Sequence, residues 1–160
     1  MTDGDKLLMH IGDETFAVEA DAVVAVVETE RFFILPMFQS ASSCKMPEFI
    51  KGVITRRGDI IVVIDIGNLF GMPPVQGKGP HKVAILKKDA SSLGILAPAE
   101  GGGSAKKLSF LWKEELAGLE FKPINEDYIQ GMIDPSGKKI RLVDWQKILE
   151  ETQKVVSSKS

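Results

Sequence analysis

Two adjacent arginines, Arg56 and Arg57, are the side chains of this sequence whose position most suggests recognition chemistry. They are followed by Gly58 and Asp59, and this polar tetrapeptide separates two apolar, β-branched segments. A guanidinium is a planar, permanently charged donor that can form paired hydrogen bonds with a carboxylate or bind backbone carbonyl groups. A turn requires the glycine but not two arginines. The pair is therefore either a solvated tip or a recognition or structural site.

Residues that could support catalysis or bind a metal do not form a recognisable constellation. His10 and His81 are far apart, and neither has a histidine or glutamate at metal-ligand spacing. Cys44 has no histidine partner motif, and the glycine run 101–103 is not followed by the Lys-Ser/Thr of a phosphate-binding loop. We therefore expect a protein that is not an enzyme and that holds no metal or cofactor.

The arginine tip belongs to a predicted β-hairpin, residues 49–66, whose second arm, 60–64, is apolar without a break. We expect that arm to be buried on both faces. Residues 128–144 repeat the hairpin without a gap, 79 positions later. The matched pairs are Phe49 with Tyr128, Gly52 with Gly131, Ile54 with Ile133, Gly58 with Gly137, and Asp65 with Asp144. The repeat indicates a duplicated β unit.

The two matched aspartates, Asp65 and Asp144, could be read as a carboxylate pair for acid–base chemistry. Each of them, however, follows a predicted strand and precedes a helix-like segment. A carboxylate in that place can accept hydrogen bonds from the unpaired N–H groups of the first helical turn. Their equivalent positions favour helix capping.

Composition limits the class of protein. The 160 residues are 44% hydrophobic and 26% charged with a net charge of −2, which is ordinary for a globular chain and gives no electrostatic case for nucleic acid or acidic membranes. A single cysteine cannot form an internal disulfide, the N-terminal residues lack a signal-peptide pattern, and no apolar run approaches the ~20 residues of a membrane span. We expect a cytoplasmic protein.

Short strands with turns between them dominate the predicted structure, which indicates an all-β sandwich or pair of barrels. Residues 72–80, rich in proline and glycine, are predicted to link two halves, and residues 37–47 are predicted to form a loop. The apolar spacing of residues 145–154 predicts a C-terminal helix.

The segment 47–70, which runs from Pro47 through Gly52, Val53, Arg57 and Gly58, resembles the CheW family of chemotaxis coupling proteins. Residues 128–149 resemble the family's last hairpin and helix. The resemblance implies a mainly β fold of two small five-stranded barrels that share a core, with short helices and a C-terminal helix. It implies one domain, 1–160, with subdomains at about 13–78 and 79–143. Residues 1–12 and the helix 144–156 would pack on the second subdomain or between the halves.

The same resemblance implies a non-catalytic adaptor that joins the cytoplasmic tips of methyl-accepting chemoreceptors to the regulatory domain of a CheA-type histidine kinase. Val23, Gly52 and Arg57 fall on positions that the family ties to receptor binding. Among these, Arg57 is the residue we expect to act in function, because the second copy of the hairpin has no arginine there. The apolar run Phe32, Phe33 and Ile34 is the candidate for kinase binding, since strand alternation cannot hide all three side chains on one face.

Several positions depart from the family pattern. Ala25 stands where the family has a glutamate that would pair with Arg57, with Glu28 as a substitute, and the segments 37–46 and 97–104 differ from their family counterparts. These departures bear on receptor coupling rather than on the fold. Two alternatives stay open: an adaptor of a non-chemotaxis kinase array, such as one for pilus motility, and a double barrel that binds a small molecule between its halves, lined by Met and Phe.

Overall fold

The computed structural model describes residues 4–11, 14–33, 48–72, 81–97, 108–112, 121–133 and 139–158. The strands are β1 (Lys6–Ile11), β2 (Glu14–Glu19), β3 (Val23–Thr29), β4 (Ile50–Arg56), β5 (Asp59–Ile64), β6 (His81–Lys88), β7 (Ser91–Ala97), β8 (Leu108–Leu111), β9 (Phe121–Glu126), β10 (Ile129–Ile133) and β11 (Ile140–Val143). A 3₁₀ turn at Ala20–Ala22 precedes β3, α1 spans Ile66–Leu69, and α2 spans Trp145–Ser158. Residues 73–80 of the predicted linker and the predicted loop 37–47, together with Cys44 and residues 101–103, lie outside the described ranges.

The strands form two sheets that share one plan. A six-stranded sheet has the order β8-β1-β2-β11-β10-β9, and a five-stranded sheet has the order β3-β6-β7-β5-β4. Each sheet contains one parallel contact, β2 with β11 and β5 with β7, and its other pairs are antiparallel. An isolated bridge between Phe33 and Val53 places the segment around Phe33 beside β4. In the other sheet, β9 has the equivalent position beside β10. The mainly β fold expected from the sequence is confirmed.

The two hairpins predicted to be copies have the same local geometry. The Asp65 N–H donates to the Phe49 carbonyl over 2.7 Å, and the Asp144 N–H donates to the Tyr128 carbonyl over 2.8 Å. Pairing is irregular between positions 50 and 52 of the first copy and between positions 129 and 131 of the second. The duplication is therefore a property of the fold as well as of the sequence.

Tyr128 of the second copy also has a shifted acidity. Burial, helped by the carboxylates of Glu151 and Asp127, raises the pKa of Tyr128 above its usual 10.0.

Both matched aspartates cap helices. The Asp65 carboxylate accepts from the Asn68 N–H at 3.2 Å, and the Asp144 carboxylate accepts from the Lys147 N–H at 3.1 Å. These are contacts to the third residue after the cap, where an N-cap side chain satisfies an otherwise unpaired donor. The capping prediction is confirmed, and the carboxylates are used structurally.

Three apolar clusters account for the packing. One joins residues of the five-stranded sheet alone, including Ala25 and Val27 of β3 with Ile54 of β4, so this sheet curls until its two edge strands share a core. A second joins residues of the six-stranded sheet, among them Leu8 and Leu142. The third and largest lies between the sheets and takes side chains from both. Its members from α2 are Trp145, Ile148 and Leu149, so the C-terminal helix packs at the shared core.

The sheets divide the chain differently from the boundary expected near residue 78. The five-stranded sheet is built from residues 23–97, and the six-stranded sheet from 6–19 and 108–143. The hairpin β1–β2 of the first half thus completes the sheet of the second half, and β6–β7 of the second half completes the sheet of the first. The two halves exchange their opening hairpins.

The expectation that the arm 60–64 is buried on both faces is wrong at its start. Ile60 is 66% exposed, and Val62 is half-buried, while Ile61, Val63 and Ile64 are buried. Ile60 is only the second residue after the turn, where the neighbouring elements no longer cover the sheet. An unbroken apolar run therefore predicted the strand but not the extent of its burial.

Within the described part of the chain, no helix is long and apolar enough to cross a membrane.

Candidate protein-binding surface

Arg57 lies at the tip of a two-residue hairpin turn. Arg56 pairs with Asp59, and the turn residues Arg57 and Gly58 have φ values of 51° and 84°. Two successive positive φ angles fit the type I′ turn that the right-handed twist of a hairpin favours. An arginine in this left-handed region costs roughly 1 kcal/mol relative to residues that enter it readily. The position is therefore not optimised for turn stability.

The Arg57 side chain is exposed and makes no ion pair or hydrogen bond with another described residue. The position where the family pattern has a glutamate is occupied by Ala25, which is half-buried against the core of the five-stranded sheet. Glu28 does not replace the missing glutamate, because it lies at the other end of the sheet. It is opposite Lys82 near the start of β6 in the strand register, whereas the Arg57 turn lies beside the start of β7. In the described structure Arg57 is thus available to a partner rather than engaged by this chain.

Val23 lies at the same end of the five-stranded sheet as Arg57. Val23 is the first residue of β3 and lies opposite Leu86, close to the β6–β7 turn. Because β7 and β5 are parallel, the β6–β7 turn is at the same end of the sheet as the β4–β5 turn that contains Arg57. The strands β6, β7 and β5 separate β3 from β4 in the sheet order. Val23 itself is half-buried and packs on the shared core, so only part of its surface is free for a partner.

Two exposed residues of β3 were not singled out by the sequence. Val24 is 48% exposed and Val26 is 46% exposed, at the outward-facing positions of an edge strand whose burial alternates throughout. The available signal was the unbroken Val-rich run 22–27, which cannot place every side chain inward when only one face of a strand is covered. Together Val24 and Val26 form an apolar stripe, which we call the β3 stripe.

Gly52 is buried and cannot itself present a side chain. Its φ is +143°, and a Cβ atom there would lie 2.5 Å from the Phe33 carbonyl oxygen and 2.9 Å from the Phe32 Cβ. The glycine thus permits the segment containing Phe32 and Phe33 to lie directly against β4. It pairs with Val63 toward the end of β4 away from Arg57, so the structure does not bring these two site residues together.

Phe32 and Phe33 point to different environments, as strand alternation requires. Phe32 is half-buried in the core of the five-stranded sheet and lies 5.8 Å from the His81 ring. Phe33 is 59% exposed, and its backbone exchanges hydrogen bonds of 2.9 and 2.7 Å with Val53. Ile34 lies outside the described residues. Of the described candidates for kinase binding, Phe33 is the one that offers a large apolar surface.

The histidines have structural surroundings. His10 Nε2 lies 2.9 Å from the Ser109 hydroxyl, and the Thr15 hydroxyl lies 3.3 Å from His10 Nδ1, so both ring nitrogens have partners within the six-stranded sheet. His81 is 8% exposed, and its Nδ1 has no hydrogen-bond partner among the described residues. Over the same residues, no group of three or more His, Cys, Asp and Glu side chains could hold a metal ion.

A shallow cleft of about 210 Å³ lies between α2 and the five-stranded sheet, near the arginine tip. Its apolar wall includes Ile60, Val62 and Leu149, and its polar rim includes Ser91 and Gln153. The small-molecule alternative placed its ligand between the halves instead. There, Met9 and Phe16 are fully buried members of the shared core, so side chains fill the space that a ligand would need.

Comparison with known proteins identifies the family. The model of the CheW-like domain matches residues 5–153. The solved structure of the scaffolding protein TtCheW from Thermoanaerobacter tengcongensis is similar, with a TM-score of 0.64, 18% identity and coverage of 88% of each chain, and at that identity the likeness concerns the fold. No curated protein matches the chain. The family match covers nearly the whole sequence, and the protein belongs to the CheW-like domain family, a family of non-catalytic scaffold adaptors of chemotaxis.

Proposed function

We propose that this protein couples the cytoplasmic tip of a methyl-accepting chemoreceptor to the regulatory domain of a CheA-type histidine kinase, and that it acts in the cytoplasm. The observation that carries the proposal is the family match over residues 5–153. An adaptor needs no catalytic constellation, but it does need at least two surfaces that can be occupied at once.

The receptor side of the proposal consists of Val23, the β3 stripe and Arg57. An apolar stripe and an arginine at one end of a sheet form the kind of anchor pair that dominates protein interfaces, in which a few apolar or arginine side chains supply most of the affinity. Gly52, the third residue assigned to the receptor, contributes indirectly by fixing the backbone of its neighbours.

The kinase side consists of Phe33, supported by Phe32 from the core. Phe33 lies beside β4, whereas the β3 stripe lies on the other edge strand of the same sheet. Arg57 of the receptor side follows β4, four residues after the Val53 that Phe33 pairs with, so the proposal requires the two partners to bind adjacent parts of one sheet at the same time. The rigid core between them fixes how the two partners are oriented.

Coupling follows from differential affinity. The kinase has two arrangements, and a given receptor state binds the adaptor–kinase complex more tightly in one of them. Receptor binding therefore shifts the kinase population toward that arrangement. The size of the shift is limited by the difference between the binding free energies of the two arrangements. The adaptor contributes geometry to this step and no chemistry.

Calorimetric titration with a CheA regulatory domain tests the kinase side. We expect saturable binding with a dissociation constant of about 10 μM or tighter, and loss of one exposed aromatic anchor, Phe33→Gln, should weaken it by about 2 kcal/mol. Trp112→Gln is the matched control, because Trp112 is also about half exposed, at 52%, but follows β8 in the other sheet. Equal losses for both variants, or none for Phe33→Gln, would remove Phe33 from the interface.

A further inference from the structure

Four cations gather at one end of the five-stranded sheet. Arg56 and Arg57 belong to the β4–β5 turn, and Lys87 and Lys88 end β6 at the β6–β7 turn. The parallel register of β5 and β7, with Val63 opposite Gly94, brings the two turns to the same end. We call these four residues the basic rim.

The basic rim is only partly neutralised. Asp59 and Asp89 lie in the same turns, and Glu150 of α2 lines the pocket beside Lys88. Four cations and three carboxylates leave one positive charge in excess, on a chain whose net charge is −2. No ion pair joins a rim cation to another residue of the described ranges. Exposed like charges held close together raise the free energy of the isolated protein slightly, and a net positive excess favours the approach of an anion.

An apolar feature lies between the two turns. Ile60 is 66% exposed and lines the cleft together with Ser91 and Leu149. Lys88 lines a neighbouring pocket, which shares Ser91 and Leu149 with the cleft and also contains Asp89 and Glu150. In sheet order, β4 and β5 supply Arg57 and Ile60, β7 supplies Ser91, and β6 supplies Lys88. The strands that lead into the two turns, β4 and β6, are three strand spacings of about 4.8 Å apart, so Arg57 and Lys88 lie roughly 15 Å from each other on either side of the cleft.

We propose that the basic rim and the cleft bind an acidic segment of a partner protein that carries one apolar side chain between its carboxylates. The apolar side chain enters the cleft at Ile60, and carboxylates on either side meet Arg57 and Lys88. At about 3.3 Å per residue, an extended segment spans the distance between the turns with roughly four to five residues. The inference rests on the proposed adaptor function and adds to it the chemistry of one partner segment and three residues, Ile60, Lys87 and Lys88.

Fluorescence polarisation of the full-length protein tests the inference with a defined probe. The probe is a labelled peptide with a central leucine and two glutamates on each side, and a second peptide has glutamines in place of the glutamates. Lys87→Gln/Lys88→Gln should weaken binding of the acidic peptide about three- to tenfold at about 150 mM salt, because each exposed charge pair contributes a modest free energy. Ile60→Thr, which keeps a β-branched side chain in the strand, should weaken it by a similar factor.

Lys122→Gln/Lys139→Gln is the control that removes the same charge in and beside the six-stranded sheet, and it should change the affinity less than twofold. Equal binding of the two peptides, or equal loss in the control, would overturn the inference. So would binding of the protein to vesicles with about 30% phosphatidylserine without binding of the peptide, since lipid would then be the partner of the basic rim. The titration with the kinase domain is independent, because the rim lysines are not part of the proposed kinase surface.

Discussion

At the scale of single residues, the sequence and the structure agree best where backbone geometry restricts the choice of side chain. Gly52 recurs as Gly131 in the second copy of the hairpin, and its φ of +143° and its approach to Phe33 show why no side chain fits. The structure adds what the sequence did not show about Arg57, namely that it holds a left-handed conformation and has no hydrogen-bond or ion-pair partner among the described residues. A residue that lowers the stability of the turn and has no polar partner among the described residues is consistent with the proposal that Arg57 binds a partner.

Arg57→Asn separates binding from stability. Asparagine enters the left-handed region more easily than arginine, so we expect the free energy of unfolding to stay constant or rise by up to about 1 kcal/mol. Receptor binding should fall by about tenfold, because the guanidinium is lost. Denaturant titration together with receptor pull-down checks both quantities. A parallel loss of stability and binding would instead mark Arg57 as a structural residue.

Lys6 is a second residue whose type conflicts with its surroundings. It is fully buried in β1, and its Nζ has no hydrogen-bond partner among the described residues. Burial of an unsatisfied polar or charged group is unfavourable, so Lys6→Met, which keeps the length of the side chain, should raise the free energy of unfolding by about 1–3 kcal/mol. Chemical denaturation measures the change. A lower unfolding midpoint for the methionine variant would show that the ammonium has a stabilising partner.

At the scale of elements, the caps and the edge strands were unequally predictable. Asp65 and Asp144 could be assigned from their matched places before helices, because capping depends on local sequence. The exposure of Val24, Val26 and Ile60 could not, since an apolar run identifies a strand without showing which neighbours cover it. Exposure of this kind is decided by tertiary packing, and here it coincides with the surfaces assigned to partners.

The caps give a prediction with an internal control. Asp144→Ala removes the acceptor for the Lys147 N–H at the start of α2 and should lower the free energy of unfolding by about 1 kcal/mol. Asp144→Asn keeps an oxygen acceptor at the cap and should cost much less. Thermal unfolding followed by circular dichroism compares the two variants. If the asparagine variant were as unstable as the alanine variant, the negative charge rather than the hydrogen bond would be the stabilising feature.

At the scale of the whole molecule, the duplication was visible in sequence but its arrangement was not. The spacing of 79 residues identified equivalent hairpins, and their matching hydrogen bonds agree with it. The exchange of β1–β2 and β6–β7 between the halves involves pairing of segments far apart in sequence, such as β1 with β8, and no local pattern specifies such pairing. The exchange joins both halves around one core and holds the proposed partner surfaces in fixed relation.

The central claim is that this protein bridges two partners, and a bridging experiment tests it most directly. Vesicles that carry a chemoreceptor cytoplasmic fragment are mixed with a CheA regulatory domain, and the kinase domain that sediments with them is measured with and without this protein. We predict that the kinase domain sediments when the wild-type protein is present and much less with Arg57→Asn or Phe33→Gln. Equal sedimentation of the kinase domain in the presence and absence of the protein would contradict the adaptor account.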